Sequence, residues 1–159
     1  MKHTIRKALV KDAEAIRSLF YETVQAVDKT LYTETQLQKW VAVYADESKW
    51  MHRLANHYYL VAVNEAKKII GFCSLKNNGC VDMLYTHPAY QKQGVAQALL
   101  YALYDVADEK HITKLFTNTS LVATPFFEKH GFVVQQINDK NLDGVCFAQI
   151  VMDKRLWLV

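Results

Sequence analysis

Apolar residues recur along this chain with two different periods, and the switch between them divides it into elements. Over residues 12–27, Ala15, Ile16, Leu19, Phe20, Thr23, Val24 and Val27 follow i, i+3, i+4 spacing, which predicts an amphipathic helix with Asp12 as its N-cap. Thr33 opens a second helix, with Gln36 three residues on in capping-box position and Leu37, Trp40, Val41 and Tyr44 as its apolar stripe. Residues 47–57 read as a further short helix carrying Trp50, Met51 and Leu54. From residue 58 the pattern becomes that of strands. Residues 4–8, 58–63, 69–75, 80–86, 114–118, 132–137 and 145–152 are the predicted strands. Asn77-Asn78-Gly79 marks a hairpin, and residues 138–144 a longer turn. Residues 94–110 and 122–130 carry helical spacing, the latter closed by Gly131 as a C-cap glycine. The order β-α-α-β-β-β-α-β-α-β-β predicts an α/β protein in which a mostly antiparallel, mixed sheet carries helices on both faces.

Composition adds little to this pattern. The 159 residues are 51% hydrophobic and 22% charged, with no linker, repeat or low-complexity tract, so one domain over residues 1–159 is expected. No apolar run has the roughly 18 residues of a membrane helix, and the first residues carry no apolar signal-peptide core. A cytoplasmic protein without a membrane partner is therefore expected. The net charge of +3 comes from scattered Lys and Arg, without the clustered basic face of a nucleic-acid-binding domain. The three cysteines, Cys73, Cys80 and Cys146, have no zinc-ligand spacing and read as buried free thiols in a reducing compartment. No metal site is expected.

Chemistry concentrates in residues 83–100. A strand ends, a polar loop follows, and Gly94 opens a long helix. The first turn of a helix has N–H groups without intrahelical partners at the positive end of its dipole. A glycine there lets an anion approach closely. Gln91 and Lys92 add side-chain donors and a charge, and Ala96 keeps the second turn small. A plain strand-to-helix turn fits the same residues. The further glycines of a dinucleotide fingerprint and the Gly-Lys-Ser/Thr of a P-loop are missing.

Gln91-Lys92-Gln93-Gly94-Val95-Ala96 resembles the acetyl-CoA signature of the GNAT N-acetyltransferase superfamily, Gln/Arg-x-x-Gly-x-Gly/Ala. Residues 84–88 resemble the end of that family's fourth strand. Residues 123–132 resemble its second hallmark, a helix ending in x-Gly-Phe. The resemblance covers essentially the whole chain and implies the GNAT fold. It implies that the backbone N–H groups of Gln93, Gly94, Val95 and Ala96 hold the CoA pyrophosphate, flanked by Gln91 and Lys92. The strand of Met83, Leu84, Tyr85 and Thr86 would pair with the pantetheine arm and supply an oxyanion donor to the thioester.

Two positions depart from the family pattern. Ser120 stands where many members have Asn, and Phe127 where many have the Tyr that protonates the leaving thiolate. Phe127 lines the cofactor without a proton to give. Ser120, Tyr85 or water is then left for that role, and the Ser120 hydroxyl is in place to reach the CoA arm. Asp82, Tyr85 and His87 are the candidates for the base that a protonated amine requires. Strict alternation puts Asp82 and Tyr85 on opposite faces of their strand. Acceptor specificity in such folds comes from the segment between the first two helices and from the last hairpin, here residues 27–36 and 138–145. Tyr32, Thr33, Gln36 and Trp40 are an aromatic and polar set that fits a pocket, although Trp40 also has core spacing. The hairpin charges Asp139, Lys140 and Asp143 fit either selection of a cationic amine or a solvated turn.

The function implied is acetyl-CoA-dependent N-acetylation of a primary amine, on a small molecule or a peptide, by direct attack in a ternary complex. The alternative is a non-catalytic acyl-CoA-binding module of the same fold, monomeric or homodimeric like the enzyme.

Overall fold

The computed structural model describes residues 2–156. Among these are seven strands and five helices, in the predicted order with the further short helix of residues 47–57 added as α3: β1 (His3–Lys7), α1 (Ala13–Gln25), α2 (Glu34–Val43), α3 (Glu47–Asn56), β2 (Tyr58–Asn64), β3 (Ile69–Leu75), β4 (Val81–Thr86), α4 (Val95–Glu109), β5 (Lys114–Thr119), α5 (Thr124–Lys129), β6 (Val133–Leu142) and β7 (Val145–Arg155). The strands form two antiparallel sheets, β1-β2-β3-β4 and β5-β7-β6. They meet at one parallel bridge between Cys80 and Phe116.

Alternation along the central strands feeds two cores. Leu60 and Ala62 of β2 point to one side, where Leu99, Leu100 and Leu103 of α4 cover them with Leu115, Phe127 and Phe132. Tyr59, Val61 and Val63 point to the other, against Ile16, Leu19 and Phe20 of α1, Leu37 of α2 and Trp50 of α3. The helices therefore lie on both faces, and the chemistry-bearing segment sits between the two sheets.

Some local expectations change. Asp12 does not cap α1. Its carboxylate accepts the Leu9 N–H at 2.7 Å and pairs with both terminal nitrogens of Arg6 at 2.8 and 3.0 Å. The capping box of α2 forms: Thr33 Oγ1 accepts the Gln36 N–H at 3.1 Å, and Gln36 Oε1 accepts the Thr33 N–H at 2.9 Å. The last hairpin is longer than its polar sequence suggests. Residues 138–142 continue β6 as an edge strand exposed along most of its length, and the turn shrinks to Asp143 and Gly144, both at positive φ. Cys73 and Cys80 are buried, but Cys146 is exposed near that turn. Of the apolar end Leu156-Trp157-Leu158-Val159, residues 157–159 lie outside the described residues. Among the described residues, no helix is long and apolar enough to cross a membrane.

Candidate active site

Beyond the Cys80–Phe116 bridge, β4 and β5 share no ladder among the described residues. Two contacts clasp them at that end: the Phe116 N–H donates to the Gly79 carbonyl at 3.1 Å, and Thr117 Oγ1 donates to the Val81 carbonyl at 2.9 Å. Past the clasp the strands splay. The edge of β4 that carries Met83, Leu84 and Tyr85 is left with backbone groups free to pair with an extended ligand, while the Thr86 carbonyl is taken by side chains. The Thr86 hydroxyl is buried and has no hydrogen-bond partner.

The splay opens toward the start of α4. A 3-10 turn (Pro88–Tyr90) follows β4, with His87 Nδ1 accepting the Ala89 N–H at 3.1 Å. His87 is therefore anchored rather than loosely solvated, with Nε2 against Glu22. The loop then takes two left-handed residues, Lys92 at φ 60° and Gly94 at φ 83°. Gln91 Nε2 donates to the Thr86 carbonyl at 3.2 Å, and Gln93 Nε2 to the Ala89 carbonyl at 3.4 Å, so both side chains brace the loop. The helical ladder begins with the Ala98 N–H donating to the Gly94 carbonyl at 3.0 Å. The N–H groups of Val95, Ala96 and Gln97 precede it and have no helical partner. A Cβ on Gly94 would meet nothing within 4 Å. Open space, orphan donors and a helix dipole together make a cradle into which a phosphate group fits.

Strand β4 also carries a bulge. Ser74 pairs with Met83, but Leu75 pairs with Val81, so Asp82 is the extra residue. Val81 and Leu84 face the α4 core while Met83 and Tyr85 face the α1 core. The bulge therefore cancels the expected separation of Asp82 and Tyr85. Both reach the α1–α3 side, where Asp82 pairs with Arg53 of α3, and Arg53 Nε donates to Tyr59 Oη at 3.1 Å. Tyr85 lies between Phe20, edge-on at 5.2 Å between ring centroids, and Phe72, stacked at 5.5 Å. Burial pushes its hydroxyl well above the ordinary tyrosine range, and the Tyr44 hydroxyl adds to the shift. A hydrogen bond with Trp40 partly offsets it. The phenol is neutral at pH 7 and holds its proton more tightly than a free tyrosine.

Asp82 carries two cations. Lys76 Nζ stands 3.7 Å from Oδ1, while Arg53 holds Oδ2. Burial disfavours the Arg53 charge, but Tyr59, Asp82 and Tyr44 outweigh it and raise the guanidinium further. Arg53 also lies over the Tyr44 ring at 5.0 Å. Nothing in the local pattern of residues 47–57 marks Arg53 as a site residue. Its position follows from the buried Trp50 one turn earlier, which fixes the inward face of α3.

The other predicted residues lie around this centre. Trp40 packs on Tyr32, with ring centroids 5.4 Å apart. Tyr32 is buried, and its Oη accepts the Leu121 N–H at 2.9 Å, tying the α1–α2 segment to the turn after β5. Gln36 has both ends engaged, since besides its cap it donates to the Cys146 carbonyl at 2.9 Å. Asp143 at the hairpin tip stands 3.8 Å from Lys39 of α2. Ser120 is half-buried, and its carbonyl accepts the Thr124 N–H and hydroxyl at the start of α5. Phe127 is in the core, edge-on to Phe132 at 5.0 Å. Among the described residues, no group of His, Cys, Asp and Glu is placed to hold a metal ion.

A splayed sheet with a glycine-led helix at its opening and a bulged strand on the opposite wall is the architecture of an acyl-CoA N-acyltransferase. A model of the acetyltransferase (GNAT) domain matches residues 28–154, and the chain belongs to that family. An uncharacterized N-acetyltransferase of Escherichia coli, YafP, is 30% identical over 148 residues, which cover 93% of each chain. A GCN5-related N-acetyltransferase from Rhodopseudomonas palustris superposes with a TM-score of 0.92 at 31% identity, covering 98% of this chain and 97% of that one. The PaiA N-acetyltransferase of Thermoplasma acidophilum, solved in complex with coenzyme A, shares the fold at a TM-score of 0.82 and 21% identity, covering 98% and 100%.

Proposed function

We propose that this chain is a single acetyltransferase domain that transfers the acetyl group of acetyl-CoA to a primary amine. The observation that carries the reading is the opening between β4 and β5, ending at the Gly94 cradle with its unpartnered N–H groups. The pyrophosphate rests on the N–H groups of residues 93–96, flanked by Gln91 and Lys92. The pantetheine arm adds to the free edge of β4, and Ser120 lines it from the β5–α5 side, with Phe127 packed in the core behind. That T. acidophilum PaiA was solved with coenzyme A in the same fold supports the assignment.

In this reading the amine nitrogen attacks the thioester carbonyl carbon, the C–S bond breaks, and the thiolate leaves. A backbone N–H at the β4 bulge stabilises the developing oxyanion. Asp82 Oδ1, which Lys76 approaches only to 3.7 Å, receives the proton of the ammonium. The Tyr85 hydroxyl takes the place of the absent phenol at Phe127: it passes its proton to the thiolate as the second amine proton, released when the tetrahedral adduct collapses, returns to its oxygen. Tyr32, Gln36 and Trp40 shape the acceptor side, with Gln36 acting through the placement of α2. Direct attack needs no acyl-enzyme. Cys73 is fully buried, and burial pushes the Cys80 thiol up to about 11, so neither supplies a thiolate.

One observation favours a second reading, a module that binds acyl-CoA without turning it over. Phe127 occupies the usual acid position and is packed into the core. CoA release from acetyl-CoA, followed across a panel of amines, separates the two. Amine-dependent release with intersecting initial-velocity lines supports the ternary complex. Release no faster than hydrolysis with every amine supports the binding module.

A further inference from the structure

Beside the bulge lies a cavity of about 430 Å3 lined by Tyr44, Ser48, Lys49, His52 and Arg53. Ser48, Lys49, His52 and Arg53 fall at helical spacing and form one face of α3. Its charged lining residues are cations, and no carboxylate is among them. Of the two acids at the start of α3, Glu47 sits in the first turn outside this lining, and Asp46 is committed to the N-cap, accepting the Ser48 N–H at 2.9 Å and hydroxyl at 2.8 Å.

Arg53 joins this cavity to the site. Its Nε is spent on Tyr59 and its Nη2 on Asp82, the Tyr44 hydroxyl is hydrogen-bonded to the same guanidinium, and its remaining edge lines the cavity. Tyr44 holds the guanidinium plane from one side. A carboxylate facing the bulge and a guanidinium edge facing the cavity thus stand side by side. That pair is the complement of a molecule carrying an ammonium and an anion on neighbouring atoms.

Resting on the acetyltransferase reading, we propose that the acceptor is a zwitterionic amine, an amino acid or aminophosphonate, whose amine meets Asp82 and whose anionic group enters the α3 cavity on Arg53 and Lys49. Arg53 binds a carboxylate or phosphonate with charge-assisted hydrogen bonds. A polyamine would instead bring a second cation against Lys49, Arg53 and Lys76. Like charges at that distance select against it.

The test is a panel of matched amines: phenylalanine with phenethylamine and phenylalanine amide, alanine with ethylamine and 1-aminoethylphosphonate, and putrescine. Acetyl-CoA turnover is read for each in wild type and in Lys49→Glu, a change on an exposed helix position. The expected result is a kcat/KM about tenfold or more higher for the anionic member of each pair, carried in KM and reduced by salt. Lys49→Glu narrows or reverses that ratio. Equal or better use of the neutral and dicationic amines by the wild type overturns the proposal, as does a ratio unchanged by Lys49→Glu. If no amine is turned over, the acetyltransferase reading fails separately. Thermal stabilisation of the CoA-loaded protein by the same amines then decides the charge assignment. A larger shift with the anionic members upholds it, and equal or absent shifts overturn it.

Discussion

Replacing Gly94 with leucine separates the cost to the fold from the cost to the ligand. Gly94 sits at φ 83°, where an L side chain is strained by about 1–2 kcal/mol. No overpacking adds to this, because nothing lies within 4 Å of the new Cβ. At about 2–4 °C per kcal/mol for a chain of this size, the melting temperature falls by roughly 2–8 °C. The ligand suffers more. The leucine side chain fills the space in front of the orphan N–H groups of α4. Hydrogen bonds to a charged group contribute about 1.5–3 kcal/mol each, so displacing a pyrophosphate from two of them costs at least about 3 kcal/mol, more than about a hundredfold in affinity. Gly144 is a matched control. It has φ 85°, also with nothing within 4 Å of a Cβ, but lies at the tip of the β6–β7 hairpin. Gly144→Leu therefore loses similar stability and keeps its CoA affinity. The assay is calorimetric titration of CoA into each variant, with melting curves alongside. CoA binding by Gly94→Leu within a small factor of wild type would refute the placement of the pyrophosphate. An equal loss in Gly144→Leu would show that the effect is only general destabilisation.

Other consequences follow from the same geometry. Tyr85→Phe removes the proposed proton donor and keeps the ring between Phe20 and Phe72, so kcat falls by about tenfold or more while CoA affinity holds; an unchanged kcat would return that role to Ser120 or water. Hydrogen bonding from Arg6 holds the Asp12 carboxyl below the ordinary carboxylate range despite its burial, so its contribution is present above the unfolded pKa near 4 and is lost as pH falls through the folded value. Asp12→Asn should accordingly lose about 1–3 kcal/mol in denaturant unfolding at pH 7 and much less near pH 3; an equal loss at both would contradict the assignment. Iodoacetamide at pH 7.5 should label the exposed Cys146 and spare Cys73 and Cys80 until the protein is unfolded, read as one adduct by mass spectrometry.

Much of this architecture is legible in the sequence, because period-2 and period-3.6 patterns report burial and burial dominates here. The Gly94 loop is legible for a different reason: a glycine opening a helix marks a close or left-handed approach, and the loop runs from a predicted strand into a predicted helix. The bulge at Asp82 leaves no such mark. Val81-Asp82-Met83 reads as plain alternation, and only the register against β3 shows that Asp82 and Tyr85 share a face. Residues 138–142 mislead in the opposite direction. They are polar because β6 is an exposed edge strand, and the Asp143-Gly144 turn alone closes the hairpin. Arg53 is invisible in the sequence because α3 is polar on the face that meets the site. A single arginine acquires meaning only when tertiary packing sets it beside Asp82 from 29 positions away.

Titration of CoA into the uniformly 15N-labelled protein, followed by backbone amide shifts, tests the central assignment most directly. The account predicts that the largest perturbations fall on Gln93, Gly94, Val95 and Ala96 and on β4 from Met83 to Thr86, saturating with one equivalent. Perturbations confined to other surfaces, or none at millimolar CoA, would contradict it.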